Sequence, residues 1–147
     1  MGRRASLSPR TEKRFRKRQG CVSGGATLDA GALIALDRND RRVLALLSRA
    51  AERGLRITVP ATAFAQAIRN PAKQARLARL VRQPGTDLRA LDGPDATAVG
   101  FLLAQTATTD IVDAHVVVCA RRAGQAVVTS DAGDLRRIAP DLQLVAV

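Results

Sequence analysis

Five of the chain's thirteen acidic residues fall where a fold could gather them into one chemical site. Asp29 closes the short apolar run Ala26-Thr-Leu28. Asp131 stands two residues past the run Ala126-Val-Val-Thr129, with Asp134 three residues further on. Asp110 and Asp113 open the apolar stretch IVDAHVVVCA. Carboxylates held within about 5 Å of one another repel by about 3 kcal/mol per pair at an effective dielectric near 20. Such a group persists only with protons or cations between its members. Hard oxygen donors without His or Cys select Mg²⁺ or Mn²⁺ rather than zinc. Each Asp taken alone is also a good helix cap, since its carboxylate accepts free N–H groups and complements the helix dipole. The two roles are compatible, because caps placed along one edge of a sheet also line one acidic pocket.

Other polar residues carry less. His115, the single histidine, lies between apolar neighbours and reads as a packed helix residue. Cys119, one helical turn on, reads as core. Ser130 has no evident base beside it, which argues against serine nucleophilic catalysis. Thr129 is placed to donate to a carboxylate or to a phosphate. Arg76, Arg79 and Arg82 recur at helical spacing as a solvated face that could also meet phosphates. Cys21 and Cys119 form no CxxC, so neither a disulfide scaffold nor a cysteine zinc site is a first reading. No Gly-rich phosphate loop occurs. With three Phe and neither Tyr nor Trp, the chain cannot build a base-stacking platform, so nucleic-acid contact must run through phosphates.

The elements that would position these groups alternate in type. Strands are expected at Ala26–Leu28, Leu55–Val59, Asp87–Leu91, Ala126–Thr129 and Leu142–Val147. Helices are expected at Gly31–Leu36, Arg41–Arg53, Ala61–Arg69, Ala72–Val81, Asp95–Thr106, Asp110–Ala123 and Asp131–Ile138. Short, continuously apolar strands between helices imply an α/β domain with a mainly parallel sheet. In such a sheet, reactive groups collect beyond the carboxyl ends of the strands, where strand order reverses. Asp29 and Asp131 occupy two such ends.

The formal charge is +11, and most of it lies at the start. Residues 1–25 hold eight Lys/Arg against Glu12 alone, while the remaining chain holds sixteen basic and twelve acidic residues. A segment so charged and so poor in apolar residues is expected to be a disordered extension. Residues 26–147 form the folded domain in this reading. No apolar run approaches the roughly 18 residues of a membrane span, and no apolar h-region follows the basic start. A cytoplasmic protein without membrane contact is the expectation.

LDAGALIAL, VPATAFAQAIR, TTDIVDAHVVVCA and VVTSDAGDLRRIA, in this order and spacing, resemble the PIN domain, and within it the VapC-type ribonuclease toxins of toxin–antitoxin pairs. The resemblance covers about residues 26–147. It implies a three-layer α/β/α fold and hydrolysis of RNA phosphodiester bonds with Mg²⁺ or Mn²⁺. The family's first, third and fourth acids fall on Asp29, Asp113 and Asp131, which would hold the cation and act in catalysis, with Asp110 and Asp134 nearby. The family's second acid, a Glu, is replaced here by Gln66, which offers a carbonyl oxygen but no charge. Thr129, Ser130, Arg76 and Arg79 are the candidate substrate contacts. An antitoxin partner and a homodimer are implied. The alternative is a PIN domain that has lost catalysis and binds RNA or protein.

Overall fold

In a computed structural model, residues 24–147 of the chain are described. The basic extension expected over residues 1–25 lies outside them, except for Gly24 and Gly25.

Five strands, β1 (Ala26–Leu28), β2 (Ile57–Pro60), β3 (Thr86–Arg89), β4 (Ala126–Thr129) and β5 (Leu144–Ala146), form one sheet in the order β3-β2-β1-β4-β5. Every pairing is parallel; Ala26 stands beside Ile57 on one side and Ala126 on the other. The three inner strands are buried along their length, and the two outer ones are partly exposed. Burial on both faces explains why the inner strands read as unbroken Ala/Val/Ile/Thr runs.

Helices α1 (Ala30–Asp37), α2 (Arg41–Glu52), α3 (Ala61–Ala67) and α4 (Ala75–Arg82) precede β3, and α5 (Gly93–Thr106), α6 (Ile111–Ala123) and α7 (Ala132–Ile138) follow it. α1 packs on β1 and β4 and touches α2, α3 and α4; α6 packs on β1, β2 and β4 and touches α3, α5 and α7. Right-handed crossovers put α1 and α6 on opposite faces, because the chain reverses its direction of travel between β3 and β4, and α3 reaches both helices. The result is the α/β/α sandwich expected. Seven consecutive residues of α6, Ala114 to Ala120, are buried, so this helix is the centre of its layer.

Among the described residues, five helices begin at an aspartate whose carboxylate accepts backbone N–H groups: Asp29 for α1, Asp40 for α2, Asp92 for α5, Asp110 for α6 and Asp131 for α7. Boundaries shift where side chains intervene. The helix expected from Ala72 starts at Ala75, after a 3-10 turn at Pro71–Lys73. Gln74 holds that turn, accepting from the N–H groups of Arg69 and Asn70 and donating to the Ala67 carbonyl. The strand expected from Leu55 starts at Ile57, because the Leu55 N–H returns to the Ala50 carbonyl around Gly54. At the amino ends of the strands, buried Gln125 accepts from the Thr27 hydroxyl and donates to the Gly24 and Arg56 carbonyls. Among the described residues, no helix is long and apolar enough to cross a membrane.

Candidate active site

Strand order reverses at the β1–β4 pair, so the crevice at the carboxyl ends of these strands is the expected site. Asp29 leaves β1 there and caps α1, its Oδ1 accepting from the Ala32 N–H at 2.7 Å. Asp131 leaves the same end of β4 and caps α7, accepting from the Gly133 N–H at 3.2 Å. Gly31 lets these two turns close on each other: a Cβ there would lie 2.1 Å from the Ser130 Oγ. A larger residue there would require the Ser130 side chain to shift. Thr129 is fully buried between them; its hydroxyl donates to the Asp29 carboxylate and accepts from the Asp131 N–H at 2.9 Å.

α6 brings the third acid. Asp110 caps it, accepting from the Asp113 N–H at 2.9 Å, and Asp113 occupies the first turn. Burial, and then the charges of Asp110, Asp29 and Asp134, push the Asp113 carboxyl up to about 6. Asp29 is raised as well, chiefly by burial, with hydrogen bonds from Thr129 and Ala32 opposing and the charge of Asp131 adding. Asp113 thus feels Asp29, and Asp29 feels Asp131. The three acids from separate stretches of the chain share one electrostatic neighbourhood.

A cleft of about 460 Å³ opens beside them, lined by Thr106, Thr108, Thr109, Asp110, Asp113, Asp134, Arg137 and Ile138, among others. Asp29 and Asp131 are not part of its lining. Arg137 and the three threonines were not singled out from sequence. Arg137 follows Asp134 by three residues and so shares its helix face, which was the available signal. The remaining candidates are placed elsewhere. Gln66 is exposed on α3 and does not line the cleft. Arg76 donates to the Asp37 carbonyl at 3.4 Å. That carbonyl is at the far end of α1, about 12 Å from Asp29 at 1.5 Å of rise per residue. Arg79 is exposed on the same short helix as Arg76. Ser130 is exposed and adjoins Gly31.

Among the described residues, the set of three His, Cys, Asp or Glu side chains with donor atoms all within 4.8 Å of one another is not this acidic group. It is Asp95, His115 and Cys119, all buried. The acids are spaced more openly than one ion's inner shell.

No protein-family model matches the sequence, and no curated protein matches it. Solved structures do match in fold. One is VapBC2 from Rickettsia felis bound to a DNA fragment from its promoter, with a TM-score of 0.60 and 14% identity, covering 84% of this chain and 98% of that one. Another is FitAcB from Neisseria gonorrhoeae, with a TM-score of 0.57 and 19% identity, covering 81% of this chain and 95% of that one. The domain therefore has the PIN-domain fold that the sequence resemblance implied. At these identities the likeness is one of fold.

Proposed function

We propose that this protein is a divalent-metal-dependent endoribonuclease that hydrolyses RNA phosphodiester bonds, and that it is the toxin of a toxin–antitoxin pair. The observation that carries the reading is Asp113, whose carboxyl is raised to about 6 partly by three other carboxylates at the carboxyl edge of the sheet. Such a concentration of negative charge is costly unless a cation offsets it. The donor set is all oxygen, which fits Mg²⁺ or Mn²⁺. Asp29, Asp113 and Asp131 would hold the ion, with Asp110 and Asp134 at its margin. A divalent ion there would supply Lewis-acid charge and acidify a water for attack on phosphorus. The protein's own contribution is placement. Thr129 fixes the Asp29 carboxylate, the Asp110 cap fixes the first turn of α6, and Arg137 brings a positive charge to an otherwise acidic cleft, where it can meet a phosphate.

Fold neighbours named VapBC2 and FitAcB support an antitoxin partner. A homodimer and a cytoplasmic setting belong to the same reading; Phe101 and Ile111, apolar and well exposed, offer contact area for self-association. The neutral Gln66 favours a second reading, a PIN domain that binds RNA or protein without cleaving it. One assay separates the two. With Mg²⁺ or Mn²⁺ the wild type is expected to cleave RNA, and Asp29→Asn and Asp113→Asn to lose at least about 100-fold of the rate while melting cooperatively. Wild-type protein that retards RNA in a salt-dependent way and cleaves none at any metal concentration establishes the second reading. Full cleavage by both variants removes the first.

A further inference from the structure

On the side of α6 turned away from Asp113, a second group of side chains is buried between α6, α5 and α3. His115 is completely buried, and its Nδ1 lies 2.7 Å from the Thr62 Oγ1 of α3. Its Nε2 faces the Asp95 Oδ2 of α5 at 3.5 Å. Both of these facing atoms are buried and lack a hydrogen-bond partner. The other Asp95 oxygen is satisfied, accepting from the Arg122 Nε at 2.9 Å. Cys119, one turn after His115, brings its sulfur within 4.8 Å of an imidazole nitrogen of His115 and a carboxylate oxygen of Asp95.

An orphaned carboxylate oxygen and an orphaned imidazole nitrogen, facing each other with a thiol alongside, are costly in an apolar interior. At 3.5 Å the pair is too long for a normal hydrogen bond. It matches the separation of donors around a tetrahedral zinc ion, about 3.3–3.8 Å for bonds of about 2.0–2.3 Å. We propose that Asp95, His115 and Cys119 supply three protein donors to a Zn²⁺ site, separate from the acidic cleft, that fastens α5 to α6 and leaves the fourth position to a water.

The donor set is borderline to soft, unlike the all-oxygen acids at the sheet edge, and so selects a different metal. Thr62 completes the arrangement: with Nδ1–H donating to its hydroxyl, the Nε2 lone pair is directed at the site, the usual second partner of a metal-bound histidine. Burial pushes the Cys119 thiol up to about 11 in the absence of metal. Zinc binding therefore releases that proton. Carboxylate and thiolate together balance the dication. Arg122 and Arg89 on one hand and Asp92 on the other are the further charges bearing on the sulfur, and the Ala90 carbonyl faces the imidazole.

The test uses the full chain, reduced and stripped with a chelator, then titrated with Co²⁺ and Zn²⁺. A sulfur-to-cobalt charge-transfer band is expected in the near ultraviolet, removed when Zn²⁺ displaces Co²⁺, and the Zn²⁺ form is expected to melt several degrees higher. Cys119→Ser and His115→Gln are expected to lose the band. Cys21→Ser and Asp113→Asn are expected to keep it, which assigns the thiolate to Cys119 and separates this ion from any in the acidic cleft. A wild-type chain without the band overturns the proposal whatever the variants do, and leaves a Thr62 hydroxyl donating to Nδ1 with Nε2–H turned to Asp95. A band that survives Cys119→Ser, or vanishes with Cys21→Ser, also overturns it. Should Cys119→Ser fail to fold, Cys119→Ala serves in its place, because it adds no buried polar atom.

Discussion

Asp113 carries the largest electrostatic consequence of the site. Burial and neighbouring carboxylates push its carboxyl up to about 6 in the folded protein, from 3.8 for an ordinary aspartate. The folded state therefore holds this proton more tightly than the unfolded chain does. Stability from this group is complete below about pH 4 and is lost as pH rises toward 6. Above that, the ionised side chain is a standing cost. Asp113→Asn is thus expected to raise the melting temperature at neutral pH, by about 2–4 °C for each kcal/mol relieved. The gain should shrink through the interval from 6 to 3.8 and disappear below it, as thermal melts across pH will show. A neighbouring residue acts in the opposite sense. Thr129→Val keeps the shape but strips the hydroxyl that serves both Asp29 and the Asp131 N–H, at an expected cost of about 1–3 kcal/mol in urea unfolding. The acids themselves were legible in sequence, because Asp29, Asp110 and Asp131 end apolar runs or open them. The roles of Thr129 and Gly31 were less so, since they depend on β1 and β4 being neighbours although about a hundred residues apart in the chain.

At the scale of elements, the aspartate caps separate stability from chemistry. Asp40 caps α2 through the Arg42 and Val43 N–H groups, and it lies at the opposite end of α1 from Asp29. Asp40→Ala is expected to cost about 1 kcal/mol of stability and leave RNA cleavage unchanged. Asp110→Asn should keep the α6 cap, since Asn caps as well as Asp, and weaken divalent-ion affinity alone. Unfolding curves and metal titrations on the same samples check both. Most elements could be read from the chain because local signals agree with the fold: Asp before a helix, Gly54 and Gly124 after one, Pro60 and Pro71 as breaks. The departures arise where a side chain captures backbone, as Gln74 does over the turn before α4. The buried group of Asp95, His115 and Cys119 was hidden for a different reason. Its spacing within α6 looks like ordinary core, and only the packing of α5 against α6 brings the carboxylate to it.

For the molecule as a whole, charge and topology divide the work. The parallel sheet with its reversal at β1 and β4 collects acids at one edge, while the net charge of +11 favours a polyanionic partner. Much of that charge is in residues 1–25, outside the described fold apart from the last two. A chain beginning at Gly24 is expected to melt within about 1 °C of the full protein, given that the segment has few apolar residues to bury. It should also show a flatter dependence of log affinity on log salt in RNA retention, as fewer phosphates are neutralised. An unchanged slope would mean that the extension makes no phosphate contacts.

The account rests on Asp29, Asp113 and Asp131 acting as one cation site although they come from three parts of the chain. Titration of the full protein with Mn²⁺, reading free ion by electron paramagnetic resonance, addresses this directly. The account requires that the wild type take up Mn²⁺, that Asp29→Asn and Asp113→Asn each lose that uptake, and that both variants keep the wild-type circular dichroism. Wild-type protein that binds no Mn²⁺, or folded variants that bind it as the wild type does, would contradict it.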